Sequence, residues 1–257
     1  MEANGRAGRR AQGARSAVFA QLAEGSKTEQ VAQRLTDAII MGVLVPGERL
    51  PSEADLAKRF GVAVVTAREG LQALRDAGLV QTKRGREGGS FVNATELTRT
   101  GLLEARLRGM ANGEISDLAI YFATVAAGCV EQAAERCAPQ DSERLSRWLS
   151  AADFTPGAPA RRNASGFYLE VAVLSQSPRL VREQIRLQAE FGPLLWLGMG
   201  QAELRTEIVA GMEAVAAAVG RQDAVTARAL VRAQTQLITR WLLGAKASIG
   251  KGGNLHD

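Results

Sequence analysis

The sequence contains one histidine in 257 residues, and that one is His256, the penultimate residue of a Gly-rich tail. This argues against a Ser-His-Asp or Cys-His centre and against a multi-histidine metal site. There are two cysteines, Cys129 and Cys137. Eight residues apart on a predicted helix, they stand about 12 Å from each other along its axis, beyond disulfide reach. Buried free thiols in a reducing compartment are the expectation. Aromatic residues are 5% of the chain, so the core is built from Ala, Leu and Val, a composition that favours packed helices over a large sheet. No uninterrupted apolar run of about 18 residues occurs, so no membrane span is expected. The N-terminal stretch has arginines but lacks the apolar core of a signal peptide, which points to the cytoplasm. No Gly-rich phosphate loop follows a strand, and no carboxylate pair falls in one recognisable cleft, so an enzyme is not expected.

What the sequence does have is basic charge, unevenly placed. The net charge is +5. Residues 1–95 hold 14 Lys and Arg against 10 acids, and the remainder 18 against 17. A polyanionic partner for the first part is permitted. Residues 1–25, with Arg6, Arg9, Arg10 and Arg15, read as a basic arm without fixed structure. From Lys27, apolar residues recur at helical spacing (Val31, Leu35, Ala38, Ile39) until Gly42 and Pro46-Gly47 stop them. Ser52 is the expected N-cap of a second helix, with Asp55 three residues on. A third helix spans about Val64–Ala77 and stops at Gly78. Two β-like runs, Leu79–Lys83 and Ser90–Asn93, flank the loop Arg84–Gly89. Three helices and a basic hairpin make a winged helix-turn-helix over 26–95. Residues 96–247 show only helical period, over roughly 97–109, 115–137, 140–151, 163–175, 178–198, 201–220 and 223–244, with a loop at Asp153–Pro159. This part reads as an all-α bundle, and 248–257 as a flexible tail. The fold class is mainly α, with one small hairpin.

The first domain resembles the GntR family of bacterial transcriptional regulators. The residues that carry the likeness are Ala38-Ile39, Gly42, the run Pro46-Gly47-Glu48-Arg49-Leu50-Pro51-Ser52-Glu53, Leu56-Ala57, Gly61-Val62, Thr66, Arg68-Glu69, Leu71, Leu74 and Ala77–Val80. The helical part looks like the FCD ligand-binding domain of the FadR subfamily, on Phe167, Pro178, Asp223 and Ala227-Arg228. The resemblance implies a homodimer that binds a palindromic operator in double-stranded DNA, controlled by a small-molecule effector, most simply as a repressor. It places the third helix in the major groove. The DNA-contact candidates are therefore Ser52, Val64, Val65, Thr66 and Arg68, with Lys83, Arg84, Gly85, Arg86 and Gly88 in the wing. For each arginine the competing reading is a solvated face.

The chain departs from the family where Ala63, Val64 and Ala54 stand. Ala63 cannot cap the third helix, a loss of ~0.5–2 kcal/mol. Val64 and Val65 cannot form bidentate base contacts but can pack against thymine methyls. An operator unlike the family consensus, or weaker binding, follows. The alternative is a metabolite- or partner-binding protein whose winged helix no longer reads DNA specifically.

Many FCD domains hold a divalent metal through an acid and three histidines. The resemblance puts Tyr168, Met212 and Gln234 at the histidine positions and Asp117 at the acid, so a metal-free pocket without cofactor is expected. Its candidate lining is Asp117, Phe122, Tyr168, Met212 and Gln234, suited to an acyl, aromatic or terpenoid-like effector. The competing reading is that these side chains fill the space as a rigid core. Trp148, Trp196 and Trp241 are expected to pack between helices.

Overall fold

The computed structural model describes residues 26–40, 42–85 and 88–250. The basic arm, Arg86 and His256 lie outside the described residues. The chain divides into two compact units, with the border between Gly101 and Leu102. Sequence reading puts the change at 95/96. The later border arises because a continuous helix, α4 (Glu96–Gly109), runs through that point.

In the first unit, α1 (Lys27–Ile40) buries Val31, Leu35, Ala38, Ile39 and Ile40. It packs on α3 (Val64–Asp76), which buries Ala67, Gly70, Leu71 and Leu74. The helices meet at Gly70, where a Cβ would stand 2.5 Å from Val31 Cγ1. Thr28 Oγ1 also donates to Glu69 Oε2 across this contact, at 3.0 Å. Between them lies α2 (Glu53–Phe60), capped by Ser52, whose hydroxyl accepts from the Asp55 N–H at 3.1 Å. Gly61, at φ 67°, ends α2 in the left-handed conformation that lets α3 start three residues later, at Val64. The hairpin of β1 (Val80–Lys83) and β2 (Gly89–Val92) is antiparallel, with Val80 opposite Val92 and Lys83 opposite Gly89. The segment before α2 lies along β2 as a third, unnamed strand: Gly47 N–H bonds Val92 O (2.8 Å), Val92 N–H bonds Glu48 O (2.9 Å) and Leu50 N–H bonds Ser90 O (2.8 Å).

The described residues of the second unit form helices joined by short turns and loops: α5 (Asn112–Arg136), α6 (Pro139–Ser150), α7 (Ala158–Leu174), α8 (Pro178–Glu190), a short α9 (Gly192–Leu195), a 3₁₀ turn at Leu197–Gly200, α10 (Ala202–Gly220) and α11 (Ala224–Gly250). Three boundaries differ from the sequence reading. First, α7 starts at Ala158 instead of 163, because Pro159 sits in its first turn, where a missing N–H is tolerated. Second, the stretch 178–198 is not one helix. Pro193 has no N–H and its ring would clash with the preceding turn, so the chain breaks at Phe191. Third, α11 continues to Gly250, past the expected stop at 244 and into the expected tail, because Leu242, Ala245 and Ile249 continue its buried face.

By length and composition α5 is apolar enough to cross a membrane. Most of its apolar side chains nevertheless face inward: Ile115, Phe122, Val125, Cys129 and Val130 are buried among α7, α8, α10 and α11, while Ile120 stays exposed, making α5 the core helix of the bundle. Polar residues interrupt its sequence, so it holds no unbroken apolar run.

Burial in this core pushes the Cys129 thiol up to about 12. Cys137 is also raised, chiefly by burial, with Asp141 adding to it. Since only the thiolate reacts, Cys129 should stay unmodified by iodoacetamide at about pH 8 in the folded protein and react fully in guanidinium. Peptide mass mapping reads this. Equal labelling of Cys129 in both conditions would show that α5 is not buried as described.

Candidate nucleic-acid interface and packed centre

The start of α3 is exposed. Val64 and Val65 are 44% and 55% accessible, Thr66 is half-buried and Arg68 is exposed. Ala63 occupies the N-cap in extended conformation and supplies no side-chain hydrogen bond. The first N–H groups of a helix have no acceptor within it, so the Val64–Thr66 end offers backbone donors and the positive end of the helix dipole to an anion. Arg68 is not wholly free. Its Nε donates to Glu53 Oε2 at 2.8 Å, which holds the guanidinium beside the α2 N-terminus. Ser52 is exposed, but its hydroxyl donates to Asp55 Oδ2 (2.6 Å) while capping α2. That bond holds the Asp55 carboxyl below its ordinary range. Ser52 is therefore a capping residue in this structure, with its donor already engaged.

In the wing, Lys83 Nζ lies 4.8 Å from the centre of the Phe91 ring, a cation–π contact that steadies its base. Arg84 is exposed. Gly85 has φ 112°, and Gly88 N–H bonds Gly85 O at 2.8 Å. A Cβ on Gly88 would stand 2.6 Å from Lys83 O and 2.8 Å from Gly85 O, both backbone atoms, so only glycine fits. Sequence reasoning missed Arg49 as a site residue. Its Nη2 donates to Gly88 O at 2.6 Å, and its backbone bridges to Phe91. Position in the Pro46–Glu53 run was the available signal, but nothing local ties it to a loop 39 residues away.

In the helical unit, three of the five effector candidates touch in one chain of contacts. Tyr168 Oη donates to Gln234 Oε1 at 2.5 Å, and Gln234 Nε2 donates to Ile208 O at 2.6 Å. Phe122 meets the Tyr168 ring edge-on, with centroids 5.2 Å apart. Trp196 stacks on Tyr168 at 5.5 Å and donates from Nε1 to Gln188 Oε1. Met212 follows Ile208 by one turn and is fully buried. Burial raises the Tyr168 phenol above its ordinary value, so the ring stays neutral and donates. Asp117 does not join them: it is exposed on α5. Among the described residues no three His, Cys, Asp or Glu side chains group as metal ligands do.

The profile of the "Bacterial regulatory proteins, gntR family" matches residues 27–92, the three helices and hairpin just described. RmpR of Mycobacterium gastri, an HTH-type transcriptional regulator by name, is 36% identical over 189 residues, covering 73% of this chain and 69% of that one. The chain belongs to the GntR family. A second relative, the HTH-type transcriptional regulator Rv0494 of Mycobacterium tuberculosis, is 30% identical over 85% of this chain and 90% of its own length. Among solved structures, E. coli McbR/YncC aligns over 86% of this chain and 99% of its own, with 22% identity and a TM-score of 0.48. As a GntR-family transcriptional regulator the chain carries a DNA-binding helix-turn-helix, and it is a regulator rather than an enzyme.

Two variants probe this geometry. Gly88→Ala should disturb the GntR wing and weaken binding to mixed-sequence duplex by roughly fivefold with helix content unchanged. Fluorescence anisotropy reads the affinity, and unchanged affinity would remove the wing from the interface. Tyr168→Phe leaves Gln234 Oε1 buried without its donor, an expected loss of about 1–3 kcal/mol in chemical unfolding. Adding Gln234→Leu should restore much of it. A double variant no more stable than Tyr168→Phe would break the account.

Proposed function

We propose that the chain is a homodimeric repressor of the FadR type that binds a palindromic operator and responds to a small-molecule effector. In this reading residues 26–95 read DNA and the helical unit is an FCD-like sensing and dimerisation domain that needs no metal. The protein works in the cytoplasm, on the chromosome. The observation that carries it is the exposed start of α3, with two bare valines, free backbone donors and Arg68 braced by Glu53. Phosphate contact comes from the helix N-terminus, Arg68, Lys83 and Arg84. Base readout comes from Val64 and Val65 against thymine methyls, with Thr66 at the groove wall. Arg86, outside the described residues, adds charge to the wing.

Of the two readings of Phe122, Tyr168, Met212 and Gln234, the packing supports the filled core. Both Gln234 amide atoms are engaged and all four side chains are buried. The residues occupy a metal site's place in the bundle and act as a latch between α7, α10 and α11. The effector then enters elsewhere, and its binding selects between arrangements of the two reading heads.

Selection from random duplexes at fixed salt tests the DNA end. The expected winners carry thymines opposite the valines and differ from the family's common consensus, and Val65→Ala weakens the winning site by roughly fivefold. Enrichment of the common consensus would refute the valine readout. Absence of any enriched sequence would favour the second reading, which the uncapped and largely apolar start of α3 motivates: a metabolite- or partner-binding protein whose winged helix no longer discriminates sequence.

A further inference from the structure

Along α5 and α11 runs an open groove of about 490 Å³, within the size range of small-molecule sites. Arg228 Nη1 pairs with Glu131 Oε1 at 3.0 Å, and the groove joins residues 116–124 to residues 232–243, so the two helices run antiparallel. One wall is the α5 stripe Ser116, Ile120 and Thr124. The other is the α11 stripe Arg232, Gln236 and Arg240. Ala119 and Ala123 leave the floor low, and Ile120 is 65% exposed.

The hydroxyls in this groove are already spent. Ser116, Thr124, Thr235 and Thr239 each donate to the carbonyl one turn back on their own helix, at 3.0, 2.8, 2.9 and 2.7 Å. The trough is therefore apolar despite its composition, and its remaining polar groups are Gln236 and the two arginines. Among the described residues neither the Arg232 nor the Arg240 guanidinium makes an ion pair or hydrogen bond. Asp117, exposed beside Ser116, lies outside the lining and pairs with neither. The arginines are eight residues apart, about 12 Å along the helix axis. Arg232 stands at one end of the trough and Arg240 one turn short of the other.

An apolar trough with an unpaired cation near each end fits an extended hydrocarbon chain with an anion at each terminus. We propose that this groove binds a long-chain α,ω-dicarboxylate, and that it is the effector site of the regulator reading on which this inference rests. The link to the core is short. Thr235 lines the groove, and its neighbour Gln234 holds Tyr168 and the Ile208 carbonyl inside the bundle.

The test titrates the full-length protein, without DNA, with dodecanedioate, laurate, 1,12-dodecanediol and succinate by calorimetry. Dodecanedioate should bind, laurate more weakly, and the diol and succinate not measurably. Arg232→Gln and Arg240→Gln should each weaken dodecanedioate by roughly fivefold, the scale of one exposed ionic contact. Ala123→Trp should abolish binding with helix content intact by circular dichroism. The proposal is overturned if dodecanedioate does not bind, if laurate or the diol binds as tightly, or if both arginine variants keep wild-type affinity. A changed oligomeric mass in Ala123→Trp would assign the groove to a second copy of the chain and overturn it as well. Operator binding of the ligand-free wild type is measured separately, so failure of the regulator reading shows there and not in the titration.

Discussion

The reading head depends on the pairing of residues 47–50 with β2. Three backbone hydrogen bonds turn a two-stranded hairpin into a three-stranded edge, and a lone hairpin is only marginally stable in water. The same pairing brings the Arg49 guanidinium to the Gly88 carbonyl, across a turn whose backbone leaves no room for a side chain at Gly88. The shape of the wing thus follows from a segment that precedes α2, far away in sequence. The cap at Ser52 begins two residues after that pairing ends, so strand, cap and α2 are placed by one continuous run of chain.

The helical unit solves a different problem. Its centre buries a phenol and an amide, and buried polar groups are tolerated only when paired. The route from Tyr168 to Gln234 to the Ile208 carbonyl meets that demand across three helices. Phe122 and Trp196 close around it. A centre built this way stiffens the bundle and leaves open space on the outer side of α11, where Thr235 follows Gln234.

Much of the fold was legible from spacing. Helix α1 and the Ser52 cap follow from periodicity and capping chemistry, which are local. The errors were local rules overruled by packing. The helical period reads as ending near 244, yet Ala245 and Ile249 have core to cover. Pro159 reads as loop, yet a first turn accepts it. Asp117 comes from the family resemblance, which carries no information about which side of α5 faces inward, and it is exposed.

From the residues alone came the class of protein: a sequence with one terminal histidine, few aromatics and the Pro46–Glu53 run before a short helix belongs to helical regulators and not to enzymes. Residue order specifies propensity, caps and motif chemistry, because those act over a few bonds. The tertiary structure decided which groups meet. It spent the Ser52 hydroxyl on Asp55, sent Arg49 to the wing, tied Tyr168 to Gln234 and, among the described residues, left the Arg232 and Arg240 guanidinium groups without partners. Apart from the local Ser52–Asp55 bond, those outcomes depend on residues tens of positions apart, and only the packed chain settles which of their atoms come within hydrogen-bonding distance.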